Sequence, residues 1–198
     1  MKYILPGMGA SSKMYFGPWH ELKDCRFIDW PPYNGEKSIH DLAVRLIEKY
    51  RMSQSDLLIG SSLGGMVALE ISEVLGSSKV FLIGSAINPR EISLLSKTGM
   101  QLTGRSLVRA SQFICSFSKN KVLATYSKMD MDFIVSMTKA MLHWEGFRGD
   151  LKKVARIHGK KDKLMKCPSD SEIIEDGGHL IAITHAQKCV DFILRNSE

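Results

Sequence analysis

A Gly-x-Ser-x-Gly pentapeptide at residues 60–64 is the strongest indication of chemistry in this chain. It follows the apolar run Leu57-Leu58-Ile59 and precedes a helical pattern, so Ser62 is predicted on a sharp strand-to-helix turn. Such a turn exposes the hydroxyl, the flanking glycines permit close backbone approach, and the first helical amides attract negative charge. The motif therefore predicts a serine nucleophile at Ser62.

A serine nucleophile needs a histidine base, and His179 is the strongest of the six histidines. It follows Gly177-Gly178 directly after the last predicted strand, and open α/β sheets bind ligands at the carboxyl ends of their strands. His185, on the following helix, is the weaker alternative. A histidine that only caps a helix is the other interpretation of His179.

The base in turn needs an orienting carboxylate, and Asp162 is the candidate. It too follows a predicted strand, and it gives the chain order Ser62, Asp162, His179. The lysines at 160, 161 and 163 are expected to favour its ionised form. An aspartate that only forms a turn or an N-cap is the alternative, and Glu91 is the fallback acid.

An oxyanion hole would complete the site and needs two preorganised amides. Leu63, directly after the nucleophile, is expected to supply one backbone N–H. Pro6-Gly7 turns the chain sharply at the end of the first strand, which makes Met8 the candidate for the second. A dinucleotide-binding loop is excluded here, because Gly7-x-Gly9 is followed by Ser12 where that motif needs glycine.

Short apolar runs alternate with amphipathic helical patterns, which predicts an α/β fold with a mainly parallel sheet. Short strands suit a sheet that is covered on both faces. The predicted strands are Tyr3-Leu5, Arg26-Ile28, Leu57-Ile59, Val80-Ile83, Val154-His158 and Glu172-Ile174.

Three helices are predicted around these strands. One runs from about Ile39 to Arg51, with Ser38 as N-cap and Asp41 completing a capping box. A second runs from the nucleophile turn toward Gly76, and a third from about 184 to 195.

No strand is predicted between Asn88 and Arg148, where several helices are expected as a lid or as extra packing. Its methionines would suit an adaptable apolar pocket, although ordinary helix packing is the commoner use of methionine. The expected apolar anchors of this segment are Leu94-Leu95, Leu102, Leu107-Val108 and Phe133-Ile134-Val135.

Composition predicts one globular domain over residues 1–198, with 44% hydrophobic and 24% charged residues. No apolar stretch is long enough for a membrane span, and the early Pro6 is incompatible with a signal-peptide core, so we expect a cytoplasmic protein. Four scattered cysteines indicate reduced thiols and no zinc site. The net charge of +6 could indicate an acidic partner, but no nucleic-acid-binding module is recognisable. We expect no cofactor and no metal.

Taken together, these motifs resemble the α/β-hydrolase superfamily over nearly the whole chain. Gly-Ser-Ser-Leu-Gly around Ser62, His-Gly-x-x-Asp ending at Asp162 and Gly-Gly-His ending at His179 occur in the family's order. The resemblance implies a Ser62–His179–Asp162 triad with an oxyanion hole at the Met8 and Leu63 amides. It also implies a three-layer fold with about six mostly parallel strands and a helical cap at about 88–148.

Three departures from the family pattern are visible. Pro6-Gly7 stands where the family usually has His-Gly, and the initial strand hairpin of larger members is missing. Only seventeen positions separate Asp162 from His179. The helix in that connection is therefore expected to be very short.

The resemblance implies a serine hydrolase that cleaves a small or medium carboxylic ester or thioester through an acyl-enzyme. An acyltransferase, an amidase, a lyase and a non-catalytic binding relative are the alternatives, since fold does not determine function. A dehalogenase or an epoxide hydrolase is disfavoured, because those relatives carry aspartate at the position of Ser62.

Overall fold

A computed structural model describes residues 1–76, 78–118 and 121–197 of the chain. Its strands form one parallel sheet in the order β2-β1-β3-β4-β5-β6, which confirms the predicted fold class. The strands are β1 Lys2–Leu5, β2 Cys25–Phe27, β3 Leu57–Ser61, β4 Val80–Ile83, β5 Val154–Gly159 and β6 Glu172–Ile174.

Helices cover both faces of this sheet. The helices that flank or follow its strands are α1 Ile39–Tyr50, α2 Leu63–Leu75, α7 Ile181–Thr184 and α8 Ala186–Asn196. Four more lie between β4 and β5: α3 Leu94–Leu102, α4 Arg105–Ser116, α5 Lys121–Tyr126 and α6 Met131–His143. We call residues 88–148 the helical insertion. No helix in the described part of the chain is both long and apolar enough to cross a bilayer.

Alternation along the strands divides the core into two layers. Leu58 and Leu82 point to the side of α1 and α2, whereas Ile59 and Phe81 point to the side of α7 and α8. Both layers are fully or almost fully buried. The predicted capping box is present at the start of α1, where the Ser38 hydroxyl accepts from the Asp41 amide at 3.0 Å.

One prediction about a helix was wrong. Residues 160–171, which connect β5 to β6, contain no helix; instead Met165 forms an isolated antiparallel bridge with Ile92 of the helical insertion. The crossover is thus covered by another segment and needs no helix of its own. The predicted C-terminal helix is confirmed as α8, Ala186–Asn196, and His185 separates it from the short helix α7.

A second correction concerns the apolar anchors of the helical insertion. Phe133 and Ile134 of α6 are buried as expected, and so is Val108. The four leucines expected beside them are largely exposed, however: Leu94, Leu95, Leu102 and Leu107. Helix α6 therefore carries the packing of the insertion onto the core, with Phe133 and Met137 in the same layer as α1 and α2.

Candidate active site

Ser62 lies between β3 and α2, on the sharp turn that its sequence context predicts. Its backbone has φ 52° and ψ −122°, a conformation that a non-glycine residue rarely adopts. The turn packs so tightly that a Cβ on Gly60 would collide with the Gly64 carbonyl. A Cβ on Gly64 would collide with the carbonyl groups of Leu5 and Pro6 at the end of β1.

His179 lies within hydrogen-bond distance of the Ser62 hydroxyl. It sits in the loop between β6 and α7, and the distance from its Nε2 to Ser62 Oγ is 3.0 Å. Its Nδ1 is 2.8 Å from Oδ2 of Asp162. Because a carboxylate can only accept, Nδ1 carries the proton of the neutral ring, which leaves Nε2 as an acceptor facing Ser62.

Asp162 is held by the loop that follows β5, and its side chain is fully buried. Its Oδ1 accepts from the amides of Leu164 and Met165 at 2.8 and 3.0 Å, which leaves Oδ2 facing His179. Burial by itself raises the pKa of this carboxyl. The imidazoles of His158 and His179 and the Met165 amide outweigh that effect, so the pKa of Asp162 lies well below its usual range.

The loop at the end of β1, Pro6–Ala10, is fixed beside Ser62 by three hydrogen bonds. Tyr15 Oη donates to the Leu5 carbonyl at 2.7 Å, and Trp30 Nε1 donates to the Gly7 carbonyl at 3.1 Å. The Ala10 amide closes the turn onto the same Gly7 carbonyl. Leu63 is the first residue of α2, so its amide has no acceptor within the helix.

Solved structures with the same architecture cover almost the whole chain. A hydrolase from Oleispira antarctica has a TM-score of 0.73 at 13% identity, covering 98% of this chain and 90% of its own. An esterase from Thermogutta terrifontis has a TM-score of 0.70 at 15% identity, with coverages of 98% and 88%. The type II thioesterase of the borrelidin biosynthetic cluster has a TM-score of 0.67 at 17% identity, with coverages of 98% and 91%.

This chain has the α/β-hydrolase fold. No protein-family model matches its sequence, and no curated protein is significantly similar to it. At such low identity, the likeness to solved structures concerns the fold alone. What the α/β-hydrolase fold does in this protein has to be argued from the side chains around Ser62.

The two fallback residues lie away from Ser62 in this α/β-hydrolase fold. Glu91 Oε2 forms a salt bridge of 2.5 Å with Arg156, whose side chain is almost completely buried. His185 Nε2 is 3.3 Å from Asp176 Oδ2 at the surface. The structure therefore brings together Ser62, His179 and Asp162, and gives the alternatives other partners.

The lysines beside Asp162 are not among the principal causes of its lowered pKa, although the sequence indicated that they would be. Lys160 forms an ion pair with Glu175, and the principal causes that lower the pKa of Asp162 are histidines and a backbone amide. Two of these causes, His158 and Met165, lie near Asp162 in the sequence, and His179 reaches it from the loop after β6.

His158 is a residue of this site to which the sequence assigned no role. Its side chain is buried at the end of β5, and its Nε2 is 3.1 Å from Asp162 Oδ2, off the direction of a good hydrogen bond. Asp162 thus faces two imidazoles, His158 from inside the sheet and His179 from the side of Ser62. The His-Gly-x-x-Asp motif contains His158, but its spacing alone does not reveal which way the ring points.

A cavity of about 700 Å³ opens beside the Pro6–Ala10 loop. Its walls come from the chain after that loop, the chain after β2, and helices α5 and α6. Ser62 itself does not line it. Most of the lining is apolar, from residues such as Ala10, Met14, Trp30, Pro31, Met129 and Phe133. Among the described residues, no cluster of three or more His, Cys, Asp or Glu side chains is arranged to hold a metal ion.

Proposed function

We propose that this protein is a serine hydrolase that cleaves a carboxylic ester or thioester through an acyl-enzyme on Ser62. The observation that carries the proposal is the continuous chain of contacts from Ser62 Oγ to His179 and on to Asp162, at 3.0 and 2.8 Å. The names of the similar structures, an esterase, a hydrolase and a thioesterase, support the same class of reaction.

In the proposed acylation step, Ser62 Oγ attacks the acyl carbon while His179 Nε2 takes the hydroxyl proton. Asp162 holds the imidazole in the required tautomer and stabilises its positive charge. The amides of Met8 and Leu63 stabilise the oxyanion of the tetrahedral intermediate. Collapse of the intermediate breaks the bond to the alcohol or thiol, which leaves with the proton from His179.

In the proposed deacylation step, His179 takes a proton from water, and the resulting hydroxide attacks the same acyl carbon. The second tetrahedral intermediate collapses onto the free acid. Ser62 Oγ leaves and recovers its proton from His179. The reaction consumes one water and leaves the three side chains as they began.

We also propose that the helical insertion is the cap of a single domain, and that the cavity beside the Pro6–Ala10 loop receives a small or medium acyl chain. A volume of about 700 Å³ falls within the range of small-molecule sites. Met129→Trp should shorten the preferred chain in a series of p-nitrophenyl esters, whereas Leu151→Trp, at an exposed position outside the cavity lining, should not. Activity of the unmodified protein that rises steadily to long chains would contradict this proposal.

The proposed nucleophile is tested with a fluorophosphonate probe and intact mass. One adduct is expected on the folded protein and none on Ser62→Ala. Ser61→Ala is a matched control, because the neighbouring hydroxyl is bound to Tyr15 at 3.1 Å and does not face His179. It should therefore keep the adduct.

Histidine variants provide a second control. His179→Ala should abolish labelling, whereas His185→Ala should leave it intact, since His185 contacts Asp176 and not Ser62. A folded wild type that takes no adduct, or a Ser62→Ala variant that still takes one, would overturn the proposal.

A further inference from the structure

Two helices of the insertion present large apolar side chains to solvent. On α3, Leu94, Leu95 and Leu102 are exposed. On α4 and at its end, Phe113, Ile114 and Phe117 are 67%, 71% and 74% exposed. Burying such side chains is the main favourable contribution to folding, so their concentration on one segment indicates that something else covers them.

Helix α4 is oriented with its polar side toward the protein. Ser111 lies 2.9 Å from the Tyr126 hydroxyl, and Gln112 donates to the carbonyl groups of Tyr126 and Met129 at 3.1 and 2.8 Å. At 3.6 residues per turn, the apolar residues of the opposite side fall within about a third of the helix circumference. These are Leu107, Ala110, Phe113, Ile114 and Phe117. The apolar stripe therefore faces away from the protein.

The same segment carries the excess positive charge of the chain. Residues 92–129 contain six basic residues and no acidic one, out of 27 basic and 21 acidic residues in all. The remaining 21 basic residues elsewhere equal the 21 acidic ones, so the rest of the chain is formally neutral. The basic residues are Lys97, Arg105, Arg109, Lys119, Lys121 and Lys128. Of these, Arg105 and Arg109 are exposed on α4 itself, and Arg105 forms an ion pair with Asp132 of α6, which leaves Arg109 as the basic residue of α4 on which the proposal rests.

Charge decides between the surfaces that could cover these stripes. A second copy of the chain, packed face to face about a two-fold axis, would bring the same positive segment against itself. An anionic bilayer accepts apolar side chains at the acyl boundary and basic side chains at the headgroups, and it needs no complementary groove. The exposed apolar side chains lie on the outer sides of two short helices. A flat, deformable surface accommodates such side chains without a matching groove.

We propose that helices α3 and α4 dock the protein on the surface of an anionic lipid bilayer. Phe113, Ile114 and Phe117 enter the boundary between headgroups and acyl chains, and Arg109 stays at the level of the headgroups. The contact is peripheral and reversible, because α3 and α4 have only 9 and 12 residues and lie along the surface of the bilayer. This inference does not depend on the chemistry at Ser62.

The test is flotation of the full-length protein with vesicles of equal parts phosphatidylcholine and phosphatidylserine, beside vesicles of phosphatidylcholine alone. Ser62→Ala is used throughout, so that hydrolysis of lipid cannot influence the result. We expect the protein to float with the anionic vesicles, to stay behind with the neutral ones, and to be released by high salt.

Two variants remove the two parts of the proposed contact. Phe113→Ser with Phe117→Ser should lower the partition coefficient about tenfold or more. Arg109→Glu should lower it about fivefold or more. The matched controls are Leu151→Ser and Lys152→Glu, which make the same changes at exposed positions of the 3₁₀ helix before β5 and should have almost no effect.

Every outcome bears on the proposal. Absence of flotation with either vesicle, while circular dichroism shows a folded protein, overturns it. Equal flotation with both vesicles also overturns it, since the basic residues would then contribute nothing. A dimer in light scattering that Phe113→Ser with Phe117→Ser dissociates, without flotation, would assign the stripes to a second copy instead. A loss of binding in Lys152→Glu as large as in Arg109→Glu would assign the binding to net charge alone and overturn the proposed contact at α4.

Discussion

Helices α2 and α4 are almost equal in length but bury their residues very differently. Every residue of α2 from Leu63 to Ser72 is buried, whereas in α4, all of which the structure describes, only Val108 is. Helix α2 carries Ser62 at its start and is wedged between β1, β3 and α1. Helix α4 contacts the rest of the protein through Val108 and through the polar side chains of Ser111 and Gln112.

Helix α2 therefore contributes to the stability of the fold, whereas α4 presents most of its apolar side chains to the surroundings of the protein. Around α2, burial, the close contacts at Gly60 and Gly64 and the order of the strands all constrain the same few residues. The position of Ser62 is therefore strongly determined. On α4, Val108 is buried, but the exposed apolar residues Phe113, Ile114 and Phe117 add nothing to the core. Substitutions at the two helices and their surroundings should therefore have opposite consequences for activity, stability and surface binding.

The largest expected effect is at Ser62 itself. Ser62→Ala should lower kcat/KM about 10⁶-fold, because the nucleophile and its base act as a unit. Ser62→Gly should be as inactive, yet it should raise the free energy of unfolding by about 1 kcal/mol relative to Ser62→Ala. Glycine tolerates the positive φ of 52° that any side chain makes costly.

The measurement is urea unfolding of both variants beside ester hydrolysis. Equal stability of the alanine and glycine variants would mean that the turn stores no strain. In that case the contrast between α2 and α4 would concern burial only.

Asp162→Asn is expected to have the next largest effect, lowering kcat/KM about 10⁴-fold at neutral pH. An amide at this position would stabilise the wrong tautomer of His179. Asp176→Asn is the matched control, because Asp176 contacts His185 at the surface, and it should retain activity.

The lowered pKa of Asp162 should also make the free energy of unfolding depend on pH. The folded pKa of Asp162 lies below its unfolded value of about 3.9, so its carboxylate contributes stability above that pH. This contribution is lost as the pH falls through the unfolded value toward the folded one. The free energy of unfolding should therefore fall more steeply below about pH 4 in the wild type than in Asp162→Asn. Parallel curves for the two proteins would contradict the assignment.

The third prediction compares the loss of stability on truncating two phenylalanines of the helical insertion. Phe133 of α6 is 1% exposed and Phe113 of α4 is 67% exposed. Phe133→Ala should lower the free energy of unfolding by about 3–5 kcal/mol, because it leaves a cavity. Phe113→Ala should lower it by less than about 1 kcal/mol, since the side chain loses only its edge contact with Phe117. Comparable losses at both positions, measured by urea unfolding, would mean that the stripe on α4 belongs to the core.

The sequence could predict the strands and the nucleophile turn because several requirements coincide there. Gly60 and Gly64 are positions where a Cβ would collide, and β3 and β4 carry the uninterrupted apolar runs Leu57-Leu58-Ile59 and Val80–Ile83. The contact between His158 and Asp162 could not be predicted, because the end of β5 and the following loop determine it jointly. Leu107 and Val108 were both expected as apolar anchors, but apolar character alone does not distinguish a residue that faces the core, as Val108 does, from one that faces solvent, as Leu107 does.

The smallest effect expected is a gain in stability on α3. Gly99 lies inside this helix, and a Cβ there would meet nothing within 4 Å. Gly99→Ala should therefore raise the free energy of unfolding by about 0.5–1 kcal/mol, because alanine loses less backbone entropy in a helix. Gly64→Ala, the same substitution in α2, should instead prevent normal folding, since the new Cβ would collide with the Leu5 and Pro6 carbonyl groups. Thermal unfolding of both variants distinguishes a helix that has room on its surface from one that has none. A Gly99→Ala variant that gains stability but loses flotation with anionic vesicles would further indicate that α3 must deform when it meets a bilayer.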